Sequence, residues 1–338
     1  MKNDKVIILG IETSCDETAA AITSNGREVL SNVISSQIDI HKVFGGVVPE
    51  IASRHHLQSI NAIVDEAISR AQISRCDIDA IAVTKGPGLV GAVLIGLATA
   101  KAMAFALEIP LIGVHHIKGH ILASFLENKE LEPPFLSLVV SGGHTSIIDV
   151  KSIDDMEVLG STRDDAVGEA YDKVARVLGL GYPGGPKVDN LAKEGIVGNV
   201  EFKRVMLEKD SLDFSFSGIK TGVLNYINTM KQSGTEFDSA DVAAGFQASV
   251  IDVLVAKTFM ALEKTGYDKL TLAGGVASNS ALRDRMQKEC MQKGVDLFIP
   301  SPIFCTDNAA MIACAGYYDF IENRFSELDL DAHAVLKM

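Results

Sequence analysis

Two histidines four residues apart, His116 and His120, are the side chains in this sequence best spaced to share a metal ion. On a helix, positions i and i+4 project from one face, and imidazole is a common ligand for divalent ions. Three of the eight histidines fall in the run HHIKGH at 115–120. Buried, hydrogen-bonded histidines remain the competing explanation of the pair. Zinc peptidases place Glu directly after the first histidine as general base, whereas Ile117 stands there in this chain. A third ligand is available in Asp307 of FCTDN, because two histidines and one carboxylate leave metal positions open for substrate. Thr306 or Asp307 also directly precedes the apolar run Ala309 to Tyr318, and by itself the sequence favours reading it as a helix N-cap.

Glycine loops form the second group. In SGGHT, Ser141, Gly142 and Gly143 let backbone N–H groups approach phosphate oxygens without an intervening side chain, although a plain hairpin turn has the same composition. Asp16 and Glu17 hold the corresponding position after the first strand of the chain and can serve a metal or an amine, or be solvated turn residues. Gly179 to Pro186 contains four glycines and two prolines, a rigid loop or a helix stop. Asp172 before it and Asp189 beyond it can accept hydrogen bonds from ribose hydroxyls. Asn279 closes GGVASN, where it can read a ribose or base edge or cap a helix. The loops KGPG at 85–88 and DFSFSGIKT at 213–221 carry donors and aromatics suited to RNA or substrate. Neither a P-loop nor a G-x-G-x-x-G fingerprint after a first strand occurs.

The elements that must position these residues repeat. Strands are expected at Val6 to Ile11, Ala19 to Thr23 and Val29 to Ile34, and again at Phe135 to Val140, Thr145 to Val150 and Met156 to Gly160. Each meander is followed by a strand running into a glycine-rich loop and a helix, at Ala80 to Thr84 and at Leu270 to Ala273. Alternating strands and helices imply α/β lobes, and a duplicated lobe with a central cleft suits a nucleotide. The expected division is a first lobe over 1–113, to which 311–338 returns, and a second over 114–310 carrying both the metal and the nucleotide site.

At 338 residues the chain fits two domains of roughly 100–200 residues each. The run Gly86 to Ala100 lacks charges for fifteen positions, short of the about 20 that a membrane span requires, and reads as a buried loop and helix. The N-terminal apolar run is broken by Glu12 and is followed by no cleavage signature. Five scattered cysteines without a Cys-x-x-Cys pair fit a reducing, cytoplasmic setting and no membrane. A net charge of −13 argues against a protein that grips nucleic acid unaided, so positive charge from a partner is expected.

Nine segments in order, GIETSCDETAAAI, GGVVPEIASRHH, GPGLVGAVLIG, HHIKGH, SGGHT, GEAYDKVARVLGLGYPGGP, DFSFSGIKT, AGGVASN and CTDNAAMIA, resemble the tRNA N6-adenosine threonylcarbamoyltransferase family, formerly called O-sialoglycoprotein endopeptidases, over nearly the whole chain. The resemblance implies a two-lobed actin, hexokinase and heat-shock-chaperone type fold of duplicated ribonuclease-H-like lobes. It implies His116, His120 and Asp307 as ligands of one divalent metal, iron(II) before zinc. It further implies Val139, Val140, Ser141, Gly142 and Gly143 as the substrate loop, Asp172, Gly185, Asp189 and Asn279 around an adenine nucleotide or threonylcarbamoyl-AMP, and Asp16 and Glu17 as acidic residues near the reacting centre. Lys118 departs from the Glu frequent between the histidines of bacterial members, and Lys85 stands where a small residue is common.

The implied reaction moves a threonylcarbamoyl group from threonylcarbamoyl-AMP to the N6 amine of the adenosine beside the anticodon, in tRNAs reading codons that begin with adenosine. The implied partners are tRNA, an inactive paralogue of the same fold, a small ATPase, and the synthase that makes the adenylate. Two rivals are a metallopeptidase and a non-catalytic nucleotide-binding regulator of the actin-like class.

Overall fold

The structure is a computed structural model that describes residues 5–206, 208 and 210–338. The chain forms two compact units, one of residues 1–131 and 300–338 and the other of residues 132–299. In the first, β1 (Ile7–Glu12), β2 (Glu17–Ser24) and β3 (Glu28–Ser36) form an antiparallel meander, and β4 (Ala80–Gly86) and β5 (Leu111–His115) add in parallel, in the order β3-β2-β1-β4-β5. Short α1 (Ile38–His41) precedes α2 (Pro49–Arg70), which with α3 (Val90–Leu107) packs on one face of the sheet. Leu9, Ile11, Ile22, Ile60, Val64, Ile81, Val83 and Leu97 fill the space between, each burial stabilising by about 1.5–3 kcal/mol. After β5 the chain enters α4 (His116–Leu122) at once.

In the second unit β6 (Phe135–Val140), β7 (Thr145–Val150) and β8 (Met156–Ser161) form the meander. Helices α5 (Val167–Val177), α6 (Gly184–Ala192), α7 (Ser217–Ser233) and α8 (Ser239–Thr265) follow, then β9 (Lys269–Ala273), α9 (Ser280–Lys293) and β10 (Asp296–Phe298). The order β10-β9-β6-β7-β8 repeats that of the first sheet, strand for strand. The duplicated α/β architecture expected from the sequence is therefore present, with strand ends within a residue or two of those expected.

The chain then returns to the first unit through α10 (Pro302–Cys305) and α11 (Ala309–Ile321). Helix α11 covers the sheet face opposite α2 and α3, against β1, β2 and β4. Close approach requires small residues there: a Cβ on Gly10 would lie 2.2 Å from the Ala309 carbonyl oxygen, and one on Gly316 would lie 2.4 Å from Ala82 Cβ. Beyond α11 the last residues run along β5 as a strap. Ser326 bridges Leu111, His333 N donates to Lys85 O, and Gly88 N donates to Ala334 O.

Two expectations need correction. The boundary falls at 131/132 and 299/300 rather than near 113 and 310, because β5 is the last strand of the first sheet and α4 packs on α11. The histidine pair and Asp307 consequently belong to the first unit, and only the nucleotide-loop candidates to the second. The apolar run at 86–100 is not simply buried. It leads into α3, whose outer face leaves Val90 46%, Leu94 48% and Phe105 72% exposed. By length and composition α3 and α8 could each cross a membrane; α8 is the buried core helix of its unit, and α3 lies on β4 and α2.

Candidate functional site

Helix α4 starts at the C-terminal end of a parallel strand, and the His115 side chain caps it by accepting from Ile117 N. One turn apart, His116 and His120 set their rings 4.6 Å between centroids and 81° between planes. Gly119 lies between them against α11, where a Cβ would come 2.8 Å from Ile312 Cδ1. That contact brings the start of α11 to the histidines. The cap of α11 is Asn308, whose side chain accepts from Met311 N at 3.0 Å. The cap expected at Thr306 or Asp307 thus lies one residue later, and the Asp307 carboxylate turns to the imidazoles instead. Asp307 Oδ1 is 3.1 Å from His120 Nε2 and 3.6 Å from His116 Nε2.

One donor atom from each of His116, His120 and Asp307 lies within 4.8 Å of the others. His120 is 1% exposed, and neither of its ring nitrogens makes a hydrogen bond. An unsatisfied buried polar group costs about 1–3 kcal/mol, and an ion held at Nε2, the nitrogen that faces Asp307, would satisfy one of the two. Two imidazoles and a carboxylate with open positions fit a divalent transition metal.

A residue that motif reading passed over orients His116. Glu12, at the end of β1 and fully buried, accepts from His116 Nδ1 at 3.0 Å and from Thr84 Oγ1 at 2.6 Å. Ser14 N also donates to it. With Nδ1–H pointed at Glu12, His116 presents Nε2 to the cluster, the usual carboxylate–histidine–metal arrangement. Burial alone would lower the His116 pKa, but the Asp307 and Glu12 carboxylates push it up to about 9. Burial would raise Glu12, and the His116 imidazole holds it below the usual carboxylate range. The available signal was a lone Glu ending an apolar strand. Lys118, the departure in the motif, faces away and donates to Asp319 on α11 at 3.0 Å.

Asp16 ends the β1–β2 turn and Glu17 opens β2. Glu17 accepts from Ser36 Oγ at 3.0 Å. Burial, with the Asp16 and Asp307 carboxylates, holds Glu17 well above the usual carboxylate range. Burial and the same two carboxylates push the Cys15 thiol well up, which keeps it a thiol rather than a nucleophilic thiolate.

In the second unit, Val139 and Val140 are fully buried on β6 and can offer only backbone to a ligand. Gly142 and Gly143 have nothing within 4 Å of an added Cβ, so the turn is open. Gly168 N donates to Ser141 O at 3.2 Å, which docks the first turn of α5 on this loop. Asp172 Oδ1 accepts from Gly184 N at 2.7 Å, beside Gly185, where space is open. Asp189 accepts from Ser280 Oγ at 2.8 Å and Gln247 Nε2 at 3.1 Å. Asn279 caps α9 through Leu282 N and donates to Gln247 Oε1 at 2.8 Å. The structure therefore joins Asp189 and Asn279 through Gln247, which no motif indicated, and the capping explanation of Asn279 holds. The 85–88 loop is crossed by the C-terminal strap.

The family described as tRNA N6-adenosine threonylcarbamoyltransferase matches residues 28–314. A protein of that name from Clostridium beijerinckii is 58% identical over 335 residues, 99% of each chain. Another from Clostridium botulinum is 57% identical over 99% of this chain and 98% of its own. Among solved structures, full-length HypF in a phosphate- and nucleotide-bound form aligns with TM-score 0.64 at 15% identity, over 95% of this chain and 56% of HypF. Component A of the Acidaminococcus fermentans (R)-2-hydroxyglutaryl-CoA dehydratase aligns with TM-score 0.55 at 14% identity, over 93% and 98%. These two likenesses concern the fold, which is of the actin-like class.

Proposed function

The chain belongs to the tRNA N6-adenosine threonylcarbamoyltransferase family, and from that premise we propose which of its residues carry the transfer. The enzyme is a transferase that places a threonylcarbamoyl group on tRNA; the peptidase and regulator readings are not favoured. Its donor in this proposal is threonylcarbamoyl-AMP, and its acceptor is the N6 amine of the adenosine next to the anticodon, in tRNAs reading codons that begin with adenosine.

His116, His120 and Asp307 would hold one divalent ion, iron(II) in preference to zinc, with Glu12 fixing the tautomer of His116. Such an ion supplies Lewis-acid polarisation of a substrate oxygen. The observation that carries this reading is that one donor atom from each of His116, His120 and Asp307 lies within 4.8 Å of the others, with both imidazoles buried. In the second unit, the Ser141–Gly143 loop, next to Val139 and Val140, binds the phosphate through the backbone amides of Gly142 and Gly143, while Ser141 N is held by His144 O at 2.8 Å and shapes the turn. Asp172, Gly185, Asp189 and Asn279 surround the nucleoside, the last two as a framework stiffened by Gln247.

The adenine amine attacks the carbamoyl carbon, the new C–N bond forms, and the bond from that carbon to the phosphate oxygen breaks with its electron pair leaving on AMP. Adenine N6 is a weak nucleophile, so positioning and donors aimed at developing charge supply most of the acceleration. The proton lost by N6 passes to the acidic pair Asp16 and Glu17. No protein nucleophile is needed, in keeping with the raised Cys15.

The net charge of −13 supports a shared tRNA grip, and the exposed Val90, Leu94 and Phe105 of α3 support a helical partner. An inactive paralogue, a small ATPase and the adenylate synthase are the partners we assign, all in the cytoplasm, in keeping with five free cysteines. The test is mass spectrometry of nucleosides from tRNA incubated with the protein, synthase, threonine, bicarbonate, ATP and the helpers. Threonylcarbamoyladenosine is expected with wild type and not with His116→Ala. Full product from His116→Ala would overturn the metal assignment.

A further inference from the structure

The turn that carries Asp16 and Glu17 is held residue by residue. Leu89 N donates to Ser14 O at 2.8 Å, and Gln37 N donates to Asp16 O at 3.0 Å. The two remaining anchors come from one side chain. His56, on α2 and fully buried, has Nε2 at 2.9 Å from Cys15 O and Nδ1 at 2.8 Å from Thr18 Oγ1. A carbonyl can only accept, so Nε2 carries the hydrogen and Nδ1 the lone pair, and Thr18 donates to it. Thr18 Oγ1 in turn accepts from Ser59 Oγ at 3.1 Å.

A second imidazole extends the chain with the same tautomer. Val48 N donates to His41 Nδ1 at 3.3 Å, so His41 Nε2 donates to Gln37 Oε1 at 3.2 Å. The Gln37 amide then lies 3.4 Å from His56 Nδ1. Burial holds His41 and His56 below the ordinary histidine pKa, which keeps both in the neutral form that this directed chain requires. Two imidazoles, an amide and a hydroxyl are buried where aliphatic side chains would fill space without needing partners. Their hydrogen bonds converge on the two positions flanking the acidic pair and on nothing in the metal cluster.

We propose that His56 is a positioning residue for the transfer, a single neutral imidazole that braces positions 15 and 18 and so fixes the carboxylates of Asp16 and Glu17 against the reacting atoms. This inference rests on the proton-accepting role given to that pair above. His56 touches neither substrate nor metal, and its effect passes through the turn. A displacement of about 1 Å in a group that meets the reacting atoms can cost ~100-fold in rate.

The test is a double-mutant cycle in the reconstituted complex, reading kcat, KM for tRNA and bound metal for wild type, His56→Ala, Asp16→Asn and the double variant, with His56→Gln alongside. His56→Ala is expected to lower kcat by about 100-fold, with KM for tRNA and metal content unchanged. Gln, which can donate at one end and accept at the other, is expected to recover to within about tenfold of wild type. In the Asp16→Asn background, His56→Ala is expected to cost little more. If the alanine variant does not fold, Thr18→Val removes the partner of Nδ1 alone and carries the same cycle. A His56 effect of full strength in the Asp16→Asn background overturns the positioning role, as does a loss confined to KM or kcat unchanged in every His56 and Thr18 variant. Full activity of Asp16→Asn would instead remove the catalytic reading of the acidic pair, a separate outcome.

Discussion

The Glu12–His116 contact, a carboxylate and an imidazole buried together, sets how this centre responds to pH and to mutation. His116 is raised from 6.5 to about 9, so the contribution of its charged form to the metal-free protein is complete below about 6.5 and disappears as pH rises through about 9. Glu12 is held below its ordinary 4.5, so its share is present above that value and fades as pH falls further. Metal-free protein should therefore melt at lower temperature at pH 9.5 than at pH 6, and a bound metal should reduce that difference; thermal melts with and without chelator check it. A metal must displace the His116 proton, so apparent affinity should rise about tenfold per pH unit up to pH ~9, measurable by competition with a metal indicator. Glu12→Gln keeps the shape but removes the charge that orients Nε2, and should weaken metal binding by about 10–100-fold. Unchanged affinity in that variant would mean that His116 is held by packing alone. Glu12 was not legible as a functional residue, because its role depends on the pairing of β1 with β4 and on where α4 begins. The histidine pair could be picked out by spacing, because the helix period sets both rings on one face, but its reading as a metal site came with the family resemblance.

At the scale of elements, the start of α11 decides whether Asp307, the third ligand in the proposal above, is in place. Asn308→Ala removes the cap at Met311 N and should cost about 1 kcal/mol; it should lower metal occupancy more than a surface cap of equal cost, because Asp307 precedes it directly. Parallel measurement of melting temperature and metal content, against Asn279→Ala at the α9 cap, separates the two effects. Strands were readable as short apolar runs between turn residues, and both meanders lie close to where the sequence placed them. The cap of α11 was not, since Thr306, Asp307 and Asn308 have equally suitable side chains and a shift of one residue leaves no trace in composition. For α3 the apolar run was readable but its two faces were not: contact with β4 uses one side, and the other keeps Phe105 in solvent.

In the whole molecule, the second unit is one continuous stretch, whereas the first is assembled from two. Residues 132–299 expressed alone should fold cooperatively, because β6–β10 and α5–α9 are all inside that stretch; near-UV circular dichroism and hydrogen exchange would show it. A chain ending at 299 should leave the first sheet uncovered on the α11 side and fail to reach its native melting transition. The repeat of strand order was visible in the sequence, yet the division was misplaced near Gly113, because a strand followed by histidines resembles the opening of a new lobe as much as the edge of the old one. That discontinuity also orders events on the ribosome. Asp307 is made roughly 190 residues after His120, and at about 5–20 residues per second the two imidazoles wait on the order of 10–40 s for their carboxylate. During that interval the face of β1 that meets α11 stays open. If His116, His120 and Asp307 hold the ion proposed above, its site is completed only when the final stretch of chain closes over the first.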